Sequence, residues 1–370
     1  MKSKPYWIYK DYFIFKPEFN DELYDYIELI VKYKKLIFSD YVKYKICIET
    51  NNKYYFNYDN DYKGSNFNKI LGNSLDKLTN LQLLTFGYYF NQPLANSLDK
   101  LINLQQLTFG ACFNQPLTYS LDKLINLRVL TFGYKFIQPL VNSLDKLTNL
   151  QQLTLGHEFN QQLANSLDKL INLRVLTLGY CFNQLLANSL DKLINLQQLT
   201  FGNYFNQSLE NSLDKLINLQ QLTFGCCFDQ LLVNSLDKLI NLQQLTFGYK
   251  FNQPLANSLN KLINLQQLTL GYEFKQKLEI PFNIRILNLN CNNQYLIDNL
   301  PNDIEELELG YNFNLKLDNL PSSMRIIRIK NAKYNWELNN LPKFLKKLIL
   351  PKKYMKEIKN INPQCVIEKN

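Results

Sequence analysis

A 23-residue sentence, read first at Asn73–Ala95 as NSLDKLTNLQLLTFGYYFNQPLA, is repeated through the middle of the chain without an insertion. The nine copies start at Asn73, Asn96, Tyr119, Asn142, Asn165, Asn188, Asn211, Asn234 and Asn257. A fixed period of this length marks a solenoid, in which each unit is one rung that cannot bury its apolar side alone.

The letters inside a copy assign its parts. Leu84 and Phe86 stand two residues apart and share one face of a strand, while Thr85 takes the other. Gly87 follows in every copy and reads as a strand end or bulge that uses backbone angles closed to other residues. Phe90 and Leu94 return inward around a turn that often holds Pro93. Asn73 and Ser74 offer helix N-cap oxygens, Asp76 sits in the first turn, Leu75 and Leu78 face the core, and Asn80 leads back toward the next strand. Each rung is expected as strand, turn, short helix or helical turn, and turn, which makes an α/β solenoid.

Both ends depart from the sentence. Ile27, Ile30, Tyr33, Leu36 and Phe38 match Leu98, Leu101, Leu104, Leu107 and Phe109 in spacing, predicting a strand over Lys34–Phe38. A looser strand is expected at Lys53–Tyr58, and Phe67–Leu71 rejoins the repeat phase. Residues 1–72 are read as an N-terminal cap of degenerate rungs, since an end rung must shield the core from water. A separate small domain is the alternative. After nine copies (residues 73–279) the units shorten, marked by Pro281, Pro301, Pro321 and Pro342. Residues 280–350 are expected as shorter degenerate repeats with strands at Ile284–Leu289, Ile304–Leu309, Met324–Ile329 and Leu345–Leu350. Residues 351–370 are expected as a basic cap with a short loose end.

Composition narrows the function classes. Apolar residues at 46% and charged ones at 20% suit a folded chain. No apolar run approaches the roughly 18 residues of a membrane span. The start, MKSKPYWIYKDYF, lacks the apolar core of a secretory leader, which points to the cytoplasm. Seven cysteines, an odd number without metal-knuckle spacing, read as free thiols, with Cys226 and Cys227 on opposite faces of a strand. The net charge of +9 is uneven: residues 73–279 carry 15 basic and 13 acidic side chains, and residues 280–370 carry 14 and 9. Lys343, Lys346, Lys347, Lys352, Lys353, Lys356 and Lys359 read as a solubilising cap, with nucleic-acid or membrane contact as the alternative.

Chemistry is scarce. The single histidine, His157, lies beside Glu158, and the other Ser, Thr and Asp residues fill repeated structural slots rather than a supported nucleophile–base constellation. No catalytic residue, metal site or cofactor is expected. The Asn80 and Asn91 series should bond backbone groups that burial would leave unpaired.

Variation is more telling. The position two after Gly87 runs Tyr89, Cys112, Lys135, Glu158, Cys181 and then Tyr204, Cys227, Lys250, Glu273, the order expected if a block of rungs was duplicated. Lys135–Glu158 and Lys250–Glu273 are expected as opposite charges on adjacent rungs. Arg128 and Arg174 precede Val129 and Val175, which replace the usual Gln. The candidate partner-binding residues are Tyr88, Tyr89, Arg128, Tyr134, Lys135, His157, Glu158, Arg174, Tyr180, Tyr204, Tyr249, Lys250, Tyr272 and Glu273. Drift at exposed positions is the alternative.

The runs Phe90-Asn91-Gln92-Pro93-Leu94, Phe113-Asn114-Gln115-Pro116-Leu117 and Phe251-Asn252-Gln253-Pro254-Leu255, with the strand Leu-x-Phe-Gly, resemble the FNIP repeat, a relative of the leucine-rich repeat. The resemblance spans roughly 67–350 and departs at Ile137, at Gln162 and at Lys275 and Lys277. It implies a leucine-rich-repeat-like solenoid of the kind abundant in amoebae and in giant viruses that infect them, and so a place in the host cytoplasm. Some members carry an N-terminal F-box that recruits a ubiquitin ligase, but residues 1–66 do not show its Leu-Pro start. The expected function is a non-enzymatic, monomeric protein–protein interaction scaffold using the strand face and its variable neighbours. The alternative is a ubiquitin-ligase substrate adaptor with a divergent N-terminal recruiting region.

Overall fold

The computed structural model describes residues 4–42, 45–46, 62–255 and 258–370, which form two compact units divided between Leu193 and Ile194. In the first unit the strands are β1 (Tyr6–Tyr9), β2 (Tyr12–Phe15), β3 (Lys35–Phe38), β4 (Tyr41–Val42), β5 (Lys45–Ile46), β6 (Tyr62–Lys63), β7 (Leu83–Thr85), β8 (Gln106–Thr108), β9 (Val129–Thr131), β10 (Gln152–Thr154) and β11 (Val175–Thr177). β1 and β2 form an antiparallel hairpin, and β2, β3 and β7 through β11 then pair in parallel. Pairing is in register, so that Leu84, Leu107, Leu130, Leu153 and Leu176 stand opposite one another.

The second unit holds β12 (Gln198–Thr200), β13 (Gln221–Thr223), β14 (Gln244–Thr246), β15 (Gln267–Leu270), β16 (Ile286–Leu289), β17 (Glu306–Leu309), β18 (Ile326–Ile329), β19 (Lys347–Leu350) and β20 (Val366–Lys369), each parallel to the next. The fold is a leucine-rich-repeat-like solenoid of about 23-residue rungs.

The strands of the array are short because glycine ends them, but for a reason other than backbone angle. Among the described glycines only Gly72 has positive φ, at 47°. A Cβ on Gly110 would lie 1.8 Å from the carbonyl oxygen of Gly87, and one on Gly156 would lie 2.2 Å from that of Gly133. The strand-end glycines are fixed by the close approach of one rung's backbone to the next.

The left-handed conformation falls instead on the residue expected to cap a helix. Asn142, Asn165 and Asn188 have φ of 60°, and Asn211 and Asn234 have 57° and 59°. Asn tolerates this region because its short amide bonds locally. No helix starts there. The stretch Leu75–Leu81 is a run of tight turns, with Leu78 N–H donating to Leu75 O and Leu81 N–H to Leu78 O, both at 2.9 Å. Among the described residues, α-helical turns occur only at α1 (Ile27–Ile30), which follows a 3₁₀ turn over Leu23–Tyr26, and at α2 (Gln294–Asp298). The expected helix is therefore a helical turn: three residues per step return the chain within 23 residues, where a longer α-helix would not.

Leu75, Leu78, Leu81, Leu84, Phe86, Phe90 and Leu94 are all buried, as are their equivalents. Phe90, Phe113, Phe136, Phe159 and Phe182 stack down the first unit at 6.0–6.4 Å between centroids. Phe86 also packs on Phe90 within its rung at 4.0 Å.

Two amide ladders close the turns. Asn103 Nδ2 donates to Thr79 O at 2.9 Å, and Asn126 Nδ2 to Ile102 O at 2.8 Å. In the other ladder Asn91 Oδ1 accepts from Asn114 N–H at 2.9 Å, and Asn114 Oδ1 accepts from Ile137 N–H at 3.0 Å. Ile137 has no side-chain oxygen to pass on to Asn160.

The N-terminal region holds one rung more than its sequence suggested. Phe15 and Phe19 stack at 3.8 Å as Phe86 and Phe90 do, and Leu23 is buried behind them. Phe38 and Phe67 form the same contact at 4.1 Å, although 28 residues lie between them rather than three. That interval carries β4, β5 and β6, which pair antiparallel as a separate three-stranded sheet. The strand expected at Lys53–Tyr58 lies outside the described residues.

The strands of the short C-terminal rungs start two residues later than expected, at Ile286, Glu306, Ile326 and Lys347. The loose end is not observed. Tyr354 is buried and stacks on Tyr334, and β20 pairs with β19 along Lys347–Leu350, so residues 351–370 build a further rung.

Two stability predictions follow from the rung geometry. Gly156→Ala should lower stability by about 3 kcal/mol, read as a shift of the denaturant midpoint, because backbone must move to admit the methyl. Tyr119 has φ of 61° where other copies place Asn, so Tyr119→Asn should raise stability by about 0.5–1 kcal/mol in the same measurement.

Candidate functional site

The carbonyl end of each array strand runs through Thr and the strand-end glycine into a two-residue turn, which presents the variable pair beside the exposed strand face. In the first unit the first member of that pair reads Tyr88, Ala111, Tyr134, His157, Tyr180. Turn-to-turn bonds hold the column: Lys135 N–H donates to Ala111 O at 2.8 Å, and Glu158 N–H to Tyr134 O at 2.9 Å.

Three of these rings stack. Tyr134 and His157 lie 4.2 Å apart at 16°, and His157 and Tyr180 lie 4.4 Å apart at 8°. Beside them is a cavity of about 210 Å³. Thr131, Thr154 and Thr177 line it from the strands, the three rings from the turns, and Ala111 from the rung before. At Ala111 the column loses its ring. Tyr88, on the rung beyond, packs edge-on against Tyr89 at 4.7 Å.

His157 Nδ1 is buried without a hydrogen-bond partner. Burial holds the imidazole below its ordinary pKa of 6.5, and the nearby Glu158 carboxylate only partly opposes this. His157 is thus a neutral, stacked ring.

The remaining predicted residues are dispersed. Lys135, Glu158, Arg128 and Arg174 are exposed. Among the described residues neither Lys135–Glu158 nor Lys250–Glu273 closes to an ion pair; on an exposed turn, solvation of each charge outweighs the weak attraction. In the second unit Tyr249 and Tyr272 stack at 4.8 Å, and Tyr204 is exposed. Cys226 and Cys227 lie in a turn, not a strand. The residues that sequence reasoning missed are Ala111 and the Thr131, Thr154 and Thr177 hydroxyls. Ala111 had a signal, as a lone methyl between two tyrosines in its column.

The C-terminal lysines sit among acids. Lys347 meets Glu368 at 2.8 Å, and Lys359 meets Glu357 at 3.1 Å. Burial would raise the pKa of Glu308, but hydrogen bonds from Lys330 and Arg328 outweigh it and hold the carboxylate below its usual range. That face is mixed in sign. Among the described residues no group of His, Cys, Asp and Glu is arranged to hold a metal, and no helix is long and apolar enough to cross a membrane.

Comparison with known proteins agrees with this architecture. Residues 292–332 match the family model described as FNIP Repeat. That stretch carries an FNIP repeat. CroV588, described as a novel circular LRR protein, aligns with 96% of this chain at 25% identity and a TM-score of 0.56. The chain spans 65% of the length of that protein. An internalin (InlF) from Listeria monocytogenes aligns with 80% of this chain and 82% of its own, at 15% identity and a TM-score of 0.51. TLR13 in the TLR13–ssRNA13 complex aligns with 75% of this chain and 48% of its own, at 16% identity and a TM-score of 0.55. These last two likenesses show the fold alone. No curated protein matches this chain in sequence.

The state of His157 has a consequence for pH. Above its ordinary value both folded and unfolded chains hold it neutral. As pH falls below 6.5 the unfolded chain takes the proton first, so stability declines down to the lower folded value. The melting temperature should therefore fall between pH 7 and pH 5 by more in the natural chain than in His157→Phe, which keeps the stack and removes the titration.

Proposed function

We propose that this FNIP-repeat chain is a non-enzymatic protein-interaction scaffold, working in the cytoplasm, whose strand face and adjoining variable turn residues contact a partner protein. The observation that carries this reading is a division of labour within each rung. Repeated letters form the core, the glycine contact and the amide ladders, while the letters that vary lie in the turns beside the sheet, where Tyr89, Lys135, Glu158 and Tyr180 are exposed and Tyr88, Tyr134 and His157 are half-buried. Tyr134, His157 and Tyr180 with Arg128, Arg174, Lys135 and Glu158 form the densest such group, on three neighbouring rungs. Large aromatic and arginine side chains are the ones that carry binding energy at protein interfaces.

The ubiquitin-ligase adaptor reading asks for a recruiting domain within residues 1–66. β2 and β3 there pair in parallel with the array instead, and nothing in their geometry favours that reading.

Capture of binding proteins from the native cell with the full chain, followed by mass spectrometry, supplies a partner. Replacing Tyr134, Lys135, His157 and Glu158 together by Ser should then weaken that partner by at least about tenfold in a titration with purified proteins. Unchanged affinity would reject this surface.

A further inference from the structure

We propose that an outward stripe of the second unit, Ile194, Ile217, Ile240, Ile263 and Phe282, docks an amphipathic α-helix of a partner protein that carries carboxylates along one flank. This rests on the protein-interaction reading above but uses a different side of the rungs from the strand face.

These residues recur without entering the core. Each array member follows a buried leucine of the helical turn, as Ile217 follows Leu216, yet the five are between 48% and 77% exposed. Phe282 keeps the slot in its shorter rung, since Ile286 pairs with Gln267 and each lies four residues after its stripe member. In the first unit the slot reads Thr79, Ile102, Ile125, Thr148 and Ile171, so threonine interrupts it there. In the second unit it runs unbroken until Asn302. Asn218 Nδ2 donates to Ile194 O at 2.9 Å, Asn241 Nδ2 to Ile217 O at 2.9 Å, and Asn264 Nδ2 to Ile240 O at 2.8 Å, which ties each isoleucine backbone to the next rung. A β-branched side chain on a fixed backbone is stiff at χ1, so the ridge is set before anything binds.

Spacing selects the form of the partner. Rungs about 4.8 Å apart carry the stripe through four steps, or about 19 Å. An α-helix returns an apolar residue to one face about every 5.4 Å, and an extended strand about every 6.7 Å. A helix therefore stays within about 2.5 Å of register along the whole stripe, while a strand slips by more than a rung. About 13 helical residues span it, and the ridge fits a groove between the side-chain rows of a helix.

Charge selects the flank. Lys215, Lys238 and Lys261, each two residues before its isoleucine, form an exposed column alongside. Asp214 and Asp237 are half-buried behind it. Lys261 Nζ meets the Asp237 carboxylate, and the lysine side chain is 62% exposed against 16% for the aspartate, so the charge facing outward is positive. Among the described residues neither Lys215 nor Lys238 makes an ion pair. The other border is neutral, with the ladder amides of Asn218, Asn241 and Asn264. Carboxylates on one flank of a helix meet the lysine heads directly. An anionic bilayer responds to net charge over the whole face, where two aspartates offset two of the three lysines.

The test is selection on the immobilised full chain from a phage-displayed library of single helices of about 18 residues, randomised at every position but the helix ends. Synthetic peptides of the enriched clones are then titrated by fluorescence anisotropy. The expected consensus has Leu, Ile, Met or Phe at alternating three- and four-residue spacing, with Asp or Glu along one flank. Ile217→Thr with Ile240→Thr installs the residue that Thr79 and Thr148 place in this slot, so the fold tolerates it. That variant should weaken the peptides by at least about tenfold while leaving the circular dichroism unchanged. Lys215→Glu with Lys238→Glu should weaken them comparably, and peptides remade with Lys on the acidic flank should regain binding to this variant, a recovery that damage to the fold does not produce. Enrichment of no clone, a consensus with apolar residues at every second position, or peptides that bind both variants as tightly as the natural chain would overturn the docking stripe. Co-sedimentation with phosphatidylcholine–phosphatidylserine vesicles that the threonine variant loses would overturn it in favour of a lipid surface. A dimer in analytical ultracentrifugation that the same variant dissociates would overturn it in favour of a second copy. Each of these outcomes leaves the strand-face reading to its own titration with the Tyr134, Lys135, His157 and Glu158 replacements.

Discussion

One contact sets the terms for the rest: along the array, as from Gly87 to Gly110 and from Gly133 to Gly156, the carbonyl oxygen of one strand-end glycine occupies the place where the next rung's Cβ would be. Any side chain there would push neighbouring rungs apart at the point where the sheet turns into the variable loop. With hydrogen alone at that position, the parallel ladder keeps its pitch, the Asn91-type oxygens reach the next rung's N–H at 2.8–3.0 Å, and the phenylalanine columns stay in contact. Each ladder bond contributes about 1 kcal/mol, and removing one leaves a backbone donor in need of a partner. The array is thus held by many small, equal terms, all of which depend on a constant separation between rungs.

The same pitch shapes what the surface can do. Residues at one turn position are forced into columns, so a run of Tyr, His and Tyr becomes a stack, and a single alanine interrupts the series of rings. Neutral His157 belongs to that stack as a ring. Its unpaired Nδ1 marks it as a compromise between shape and polarity, and protonation would tax the column.

Much of the architecture was legible because a core position in a solenoid is a spacing. Leu75, Leu78, Leu81, Leu84, Phe86, Phe90 and Leu94 announced themselves by recurrence alone. The same ruler, laid from Phe15 to Phe19, Leu23, Ile27 and Ile30, measures one further rung, hidden because the long interval between Phe38 and Phe67 breaks the count. Glycine and asparagine were harder. Each letter admits two explanations, torsional freedom or lack of bulk for Gly and capping or left-handed backbone for Asn, and only three-dimensional neighbours decide between them. The cavity was least legible, since it lies between the ring column and threonines that look like ordinary outward strand residues.

The interval between Phe38 and Phe67 carries a different lesson. Rungs this alike are almost interchangeable locally, so a chain that stacked the third copy on the fifth would satisfy nearly the same leucines, amides and glycines. Such an error would be nearly isoenergetic contact by contact. What discourages it is anything that gives a rung an address: a long interruption near one end, a missing oxygen at Ile137, a bulky Tyr119 in a left-handed turn, a ring column with a defined start. Irregularities that cost local stability also number the rungs, and this lets a nearly monotonous sequence fold in one order.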